Sequence, residues 1–319
     1  MNLHESEELF KDAIQATAEH FNLQNIFIEK DYWLTLALYR ISQTSLADVT
    51  VFKGGTSLSK AYGCIERFSE DVDLAVITNR EQSSNQTKKL LKLITSTASQ
   101  NLKEESAGST KGSMIRKIYY SYPETSDRTL SGGPISNKIL LEVNAFAHPS
   151  PCQRMAISTY IHTFLKSQKK EDLITQFGLQ PFTFKVLCLE RTFTEKVMAV
   201  AKASSSEHPL DSLRVKIRHL YDIHQLMQLE TIQTFIQSAD KFHGLLEAVR
   251  KSDQEAPIGD AQWVGIDISS CPIFAEPENL WKSLSSTYRQ RLGEIVYGKL
   301  PDAADIIESL RRLGYYMRK

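Results

Sequence analysis

Two carboxylates separated by a single residue, Asp71 and Asp73, follow a Gly-Gly turn in the stretch VFKGGTSLSKAYGCIERFSEDVDLAV, residues 51–76. Strand residues two apart face the same side, so both carboxylates project together. Two adjacent like charges are costly unless a cation neutralises them. Mg²⁺ is hard and oxygen-seeking, and it typically sits on one or two carboxylates plus substrate phosphates. Upstream, Gly54 and Gly55 let the backbone approach a ligand closely, and the N–H groups at the start of the following helix favour an anion. Gly54, Gly55, Thr56 and Ser57 are therefore candidates for holding phosphate. The pattern is not a P-loop, because Lys60 follows Ser59 rather than the second glycine. An isolated DxD reads as a solvated strand edge; its coupling to the Gly-Gly turn shifts the reading to a metal site. A second Gly-Gly, at 132–133, reads only as a loop.

A third carboxylate is desirable to hold two metals. Glu142 lies mid-strand in KILLEVNAF between Leu141 and Val143. A charge in such a strand needs a partner, either the shared metals or a Lys or Arg. Asn144 shares its face. Lys196 and Asp222, read from spacing alone, are charges on amphipathic helices that face water. His224, two residues past Asp222, reads as a packed helix histidine.

The elements that must position these groups follow from periodicity. An amphipathic helix is expected over 3–22, with Phe10, Ile14, Ala18 and Phe21 three or four apart. A second, over about 29–41, is apolar nearly all round and should be well buried. Strands are expected at 49–53, 72–77, 115–122 and 138–146, the last two joined through SDRTLSGGPISN as a hairpin with a long loop. Helices are expected at 56–64 and 87–102. After His148-Pro149 the strand signal fades. From about 192 the chain is mostly helical, with an irregular connection over 252–277 and two closing helices at roughly 278–294 and 302–317. The expected fold is α+β: a small mixed-sheet core flanked by helices, residues 1–150, and a mostly helical C-terminal lobe, residues 151–319, that completes the nucleotide cleft.

The 319 residues, 41% hydrophobic and 24% charged, suit one bilobed unit or two domains and exclude collagen-like or fibrous structure. Basic and acidic residues balance at 38 each, so the chain is not a generic polyanion binder. The charge is uneven: residues 1–31 carry seven acids against two lysines, and residues 185–219 seven basic groups against four acids. The second stretch is either a set of solvated helix faces or a surface that meets phosphates. Cys64, Cys152, Cys188 and Cys271 lack zinc spacing, as expected for thiols in a reducing cytoplasm. The acidic amphipathic start MNLHESEELFKD is no signal peptide. No apolar stretch is long enough to cross a membrane.

The segments EKDYWL, FKGGTSLSKAY, RFSEDVDL, TEKVMAV and RHLYDIHQL occur in order from about residue 28 to 226. Together they resemble the nucleotidyltransferase-like AbiEii/AbiGii toxin family of the DNA polymerase β-like nucleotidyltransferase superfamily, which includes the MenT-type toxins. The resemblance implies that Asp71 and Asp73 are catalytic and, with Glu142, hold two Mg²⁺ ions. It implies that Gly54, Gly55, Thr56, Ser57, Lys196 and Arg218 bind the nucleotide, that Lys196 and Asp222 are also catalytic, that Lys196 contacts the triphosphate, and that Asp222 orients that lysine or helps organise the nucleotide site. Ser69 sits where related toxins can be silenced by phosphorylation; the ordinary reading is a turn serine. Glu29-Lys30-Asp31 also matches, as a salt-bridged cap, an inter-lobe contact or a catalytic element.

The implied reaction is transfer of a nucleotide from an NTP, GTP or CTP, to the 3′ end of tRNA in the cytoplasm, with pyrophosphate released and a cognate antitoxin as partner. Nucleotidylation of a protein or small-molecule hydroxyl stays open. So does a nucleotide-binding interaction module without turnover.

Overall fold

The computed structural model describes the chain except residues 80–81, 124, 126–136 and 256–264. The second Gly-Gly, most of the expected loop over 126–137 and part of the connection expected over 252–277 lie outside the described residues. Two compact units are present. The first comprises Met1–Tyr62 and Phe68–Leu187, the second Gly63–Arg67 and Cys188–Lys319. The division expected at 150 falls at 187 because two further strands join the sheet of the first unit.

The first unit runs through α1 (Glu7–Phe21), α2 (Asn25–Ser42), β1 (Thr50–Lys53), α3 (Gly54–Lys60), β2 (Asp71–Val76), α4 (Ser84–Ala98), β3 (Lys103–Lys111), β4 (Ile115–Ser121), β5 (Lys138–Asn144), β6 (Cys152–Ile157), α5 (Tyr160–Ser167), α6 (Glu171–Gln176) and β7 (Phe182–Leu187). The strands form one seven-stranded sheet in the order β3-β4-β5-β2-β1-β7-β6. It is mixed: β2 runs parallel to β5 and β1 parallel to β7, while the remaining pairs are antiparallel. β4 and β5 pair directly, as a hairpin reading of the sequence requires.

One face of the sheet is sealed. Val72, Leu74 and Val76 of β2 share it with Ile139, Leu141 and Val143 of β5, and all are buried. Helices α2 and α4 pack against each other and against β5. The near-continuous apolar surface of α2 thus meets the sheet on one side and α1, α4 and α5 around the rest. Three strands depart from expectation. β3, KEESAGSTK, is mostly exposed and lies at one edge of the sheet; β6 lies at the other edge, with β7 beside it. An edge strand can take its hydrogen bonds from one neighbour while both faces stay wet, so β3 carries no apolar alternation to be read.

The second unit is helical: α7 (Leu189–Ser204), α8 (Pro209–Val215), α9 (Ile217–Met227), α10 (Glu230–Gln237), α11 (Ala239–Glu255), α12 (Pro272–Ala275), α13 (Pro277–Gly293) and α14 (Ala303–Arg318). Its core includes Phe193, Val197, Leu220, Ile223, Phe242, Leu284 and Leu310. Helices α10 and α11 are separated at Ser238, whose ψ of 90° leaves the helical range. The α+β class with a helical C-terminal part is as the sequence indicated.

Candidate active site

In the first unit the Gly-Gly turn and the DxD strand meet. Strand β1 ends at Lys53, and α3 begins at once with Gly54. Gly54 has φ +78°, a conformation that side chains other than glycine's rarely adopt. There is a second reason for glycine. A Cβ at this position would collide with the Asp73 carboxylate. The turn is therefore packed directly on one of the two candidate acids.

Asp71 and Asp73 lie on one face of β2 and are half-buried, while Val72 between them points into the core. The Thr56 hydroxyl donates to the Asp71 carbonyl, and the Ser57 hydroxyl donates to the Gly54 carbonyl at 2.9 Å. The Thr56 hydroxyl thus ties the turn to β2, and the Ser57 hydroxyl braces backbone within the turn.

The sheet register adds a row of charge. Asp73 is the direct neighbour of Glu142 on β5 and of Lys53 on β1, and Glu142 is the direct neighbour of Lys117 on β4. Across four strands the order is Lys117, Glu142, Asp73, Lys53. Directly opposed like charges destabilise a sheet; here a cation flanks each carboxylate on its outer side. Lys117 Nζ lies 3.9 Å from Glu142 Oε2, and Asn144 Nδ2 lies 3.5 Å from Glu142 Oε1.

Hard carboxylate oxygens suit Mg²⁺, and a pair is enough when substrate phosphate and water complete the shell. Asp71 and Asp73 meet that requirement by residue type and by face. Among the described residues, however, no three His, Cys, Asp or Glu side chains gather closely enough to hold a metal ion. Glu142, beside Asp73 in the sheet, also has a lysine on its other side. The site fits an ion held by two aspartates.

Lys196, Arg218 and Asp222 belong to the helical unit. Asp222 of α9 is wholly buried and takes two cations. Lys196 Nζ of α7 donates to Oδ2 at 2.7 Å. Arg67 donates through Nε to Oδ1 at 2.6 Å and through its terminal nitrogen to Oδ2 at 2.7 Å. Burial pushes the Asp222 carboxyl up, but Arg67 and Lys196 overcome it and hold it well below the usual carboxylate range. His219 beside them is kept neutral, first by burial and then by Lys196. Arg218 is half-buried on α9. His224 is also half-buried and shares a 2.8 Å hydrogen bond with Ser309.

Arg67 is the residue that sequence reading missed. It stands four positions before Asp71, yet the segment Gly63–Arg67 packs with the helical unit. Glu66 N donates to the Tyr221 hydroxyl at 3.2 Å, and Arg67 forms a strand-like bridge with Val296. A signal was present: an arginine between Ile65 and Phe68, both buried, needs an acid partner. Ser69, in the first unit, is buried rather than displayed.

Residues 36–309 match the family model described as "Nucleotidyl transferase AbiEii toxin, Type IV TA system". The chain therefore belongs to the AbiEii family of nucleotidyltransferase toxins from type IV toxin–antitoxin systems. Two solved Helicobacter pylori structures resemble it at 14% identity. One is of the protein JHP933, covering 93% of this chain and 92% of that one with a TM-score of 0.43. The other is of a presumed nucleotidyltransferase, covering 93% and 95% with a TM-score of 0.44. No curated protein sequence matches the chain. No helix among the described residues is long and apolar enough to cross a membrane.

Proposed function

We propose that the protein is a Mg²⁺-dependent toxin that transfers a nucleotide from an NTP to an RNA acceptor, the 3′ end of tRNA, with a cognate antitoxin to restrain it in the cytoplasm. The observation that carries this reading is the packing of Gly54, at φ +78°, directly against the carboxylate of Asp73 on the DxD face of β2. It couples the phosphate-approach turn to the acidic pair.

In the reaction, an acceptor hydroxyl gives up its proton to solvent and forms a bond to the α-phosphorus as the bond from that phosphorus to the bridging oxygen breaks, and pyrophosphate leaves with that oxygen. Divalent ions held by Asp71 and Asp73 would supply charge neutralisation at the phosphates. The chain's own work is positioning. Gly54 and Gly55 keep side chains out of the way of the triphosphate. Within the helical unit Asp222 holds the Lys196 ammonium, and the assignment of Lys196 and Arg218 to nucleotide phosphate rests on the family resemblance. GTP and CTP are the donors to try first. A phosphate on Ser69 would place about two negative charges beside Asp71, though its burial means that the segment must open to be modified.

The test incubates purified protein with Mg²⁺, each α-labelled NTP separately, and total RNA, with Asp71→Ala and Asp73→Ala as controls. Label in RNA with wild type alone supports the reading. Label in protein or in a small molecule would move the acceptor to that class. Equal labelling by the variants removes the assignment.

A further inference from the structure

Three consecutive ionisable residues of α2 are buried, and each is engaged by a different part of the first unit. Glu29, Lys30 and Asp31 are 0%, 1% and 3% exposed. Successive helix positions point roughly 100° apart, so in an enclosed helix each charge must find its own partner. Glu29 Oε1 accepts from the Thr125 amide at 2.8 Å. Lys30 Nζ donates to Glu70 Oε2 at 2.7 Å. Asp31 Oδ1 takes the Lys60 ammonium, and its Oδ2 accepts from the Tyr160 amide at 2.9 Å.

The partners are placed with a pattern. Glu70 immediately precedes Asp71 at the mouth of β2. Lys60 is the last residue of α3, the helix that opens with Gly54. The start of α3 is already tied to β2, because the Thr56 hydroxyl donates to the Asp71 carbonyl. One turn of α2 thus grips the far end of α3 and the residue before the first aspartate, while α3 and β2 grip each other. We infer that Lys30 and Asp31 are positioning residues: through Glu70 and Lys60 they fix the backbone that presents Asp71 and Asp73 as a metal-binding pair. The inference rests on the carboxylate reading of those aspartates proposed above.

Stability alone does not require this arrangement. A buried ion pair replaced whole by apolar side chains of similar volume is often neutral or stabilising, whereas loss of one partner alone is destabilising where the other stays buried. Met has nearly the shape of Lys, but Lys60→Met leaves Asp31 buried without its ammonium and should melt lower than Lys30→Met, whose partner Glu70 is partly exposed. What a Met cannot do is hold Glu70 in place. The effect on a bound cation separates geometry from simple charge. Removing Lys30 or Lys60 takes a positive charge from the neighbourhood, and by field alone that should tighten binding of a divalent cation. Loss of positioning should weaken it.

The test uses the full-length chain and Mn²⁺ alone, without nucleotide. Free Mn²⁺ is read by electron paramagnetic resonance in titrations of wild type, Lys30→Met, Lys60→Met and Asp73→Asn, and folding is followed by circular dichroism melts. Lys30→Met and Lys60→Met should each weaken Mn²⁺ binding roughly 10-fold or more at temperatures well below their melts. Unchanged or tighter binding in a folded Lys variant, with Asp73→Asn still losing the ion, overturns the inference and leaves the acidic site intact. Should one Lys variant fail to fold, the other decides by the same comparison. Wild-type Mn²⁺ affinity in Asp73→Asn would instead remove the two-aspartate site itself.

Discussion

A methyl group added at Gly54 has nowhere to go: the backbone holds φ +78° and the Asp73 carboxylate occupies the space. Gly54→Ala should therefore be destabilised by about 1–2 kcal/mol from the left-handed backbone alone and should lose nucleotidyl transfer, read by urea unfolding beside the labelling assay. Asp71→Ala and Asp73→Ala are half-exposed and should keep the wild-type melt while losing roughly 100-fold or more in rate. Asp222 is the opposite kind of acid. Its truncation to Ala removes the buried carboxylate that both Arg67 and Lys196 hold, for which about 3–5 kcal/mol is expected in a denaturant titration. The pH sign follows from its depressed carboxyl. The native form stays ionised where the unfolded form, near 3.9, begins to protonate. The stabilisation is therefore complete above that value and is lost as pH falls towards the native one. Melting temperatures recorded from pH 6 down to pH 2 should fall steeply in wild type, and the acid limb should be flatter in Asp222→Asn.

Elements in the interior were readable because burial writes a period into the sequence. The β2 alternation that puts Asp71 and Asp73 outward puts Val72 and Leu74 inward, and Leu74→Ala should cost about 2–5 kcal/mol in chemical denaturation. Helix α4 starts with a capping box between Ser83 and Gln86, so Ser83→Ala should cost roughly 1 kcal/mol in the same measurement. The wet elements were not readable. β3 and β6 are strands by virtue of a neighbour's hydrogen bonds, and their side chains report solvent on both faces. The same limit explains Glu142. Its strand was plain, but its place between Asp73 and Lys117 depended on β5 pairing with both β2 and β4 in these registers.

At the scale of the molecule, the units are not colinear with the chain. The path leaves the first unit after Tyr62, contributes Gly63–Arg67 to the second, and returns at Phe68. A cut at 187 therefore strands Arg67 away from Asp222. Fragments 1–187 and 188–319 expressed separately should lose the cooperative melt of the whole chain, followed by circular dichroism. The even charge balance excludes a generic affinity for nucleic acid. If the acceptor is RNA, the rate of RNA labelling at subsaturating RNA should fall as salt rises, with the salt slope measuring how many phosphates are contacted.

Local order was enough to establish the Gly-Gly turn, the paired aspartates and the helical C-terminal half, because each is a matter of spacing along the chain and of alternation against a core; the family entered by resemblance of five short segments in order. Contacts between distant segments were decided only on folding: Arg67 with Asp222 across 155 positions, Lys30 with Glu70, Lys60 with Asp31, and the charge row over four strands. A charged side chain carries no period that names its partner. The partner is chosen by which buried groups the packed backbone brings within hydrogen-bonding reach.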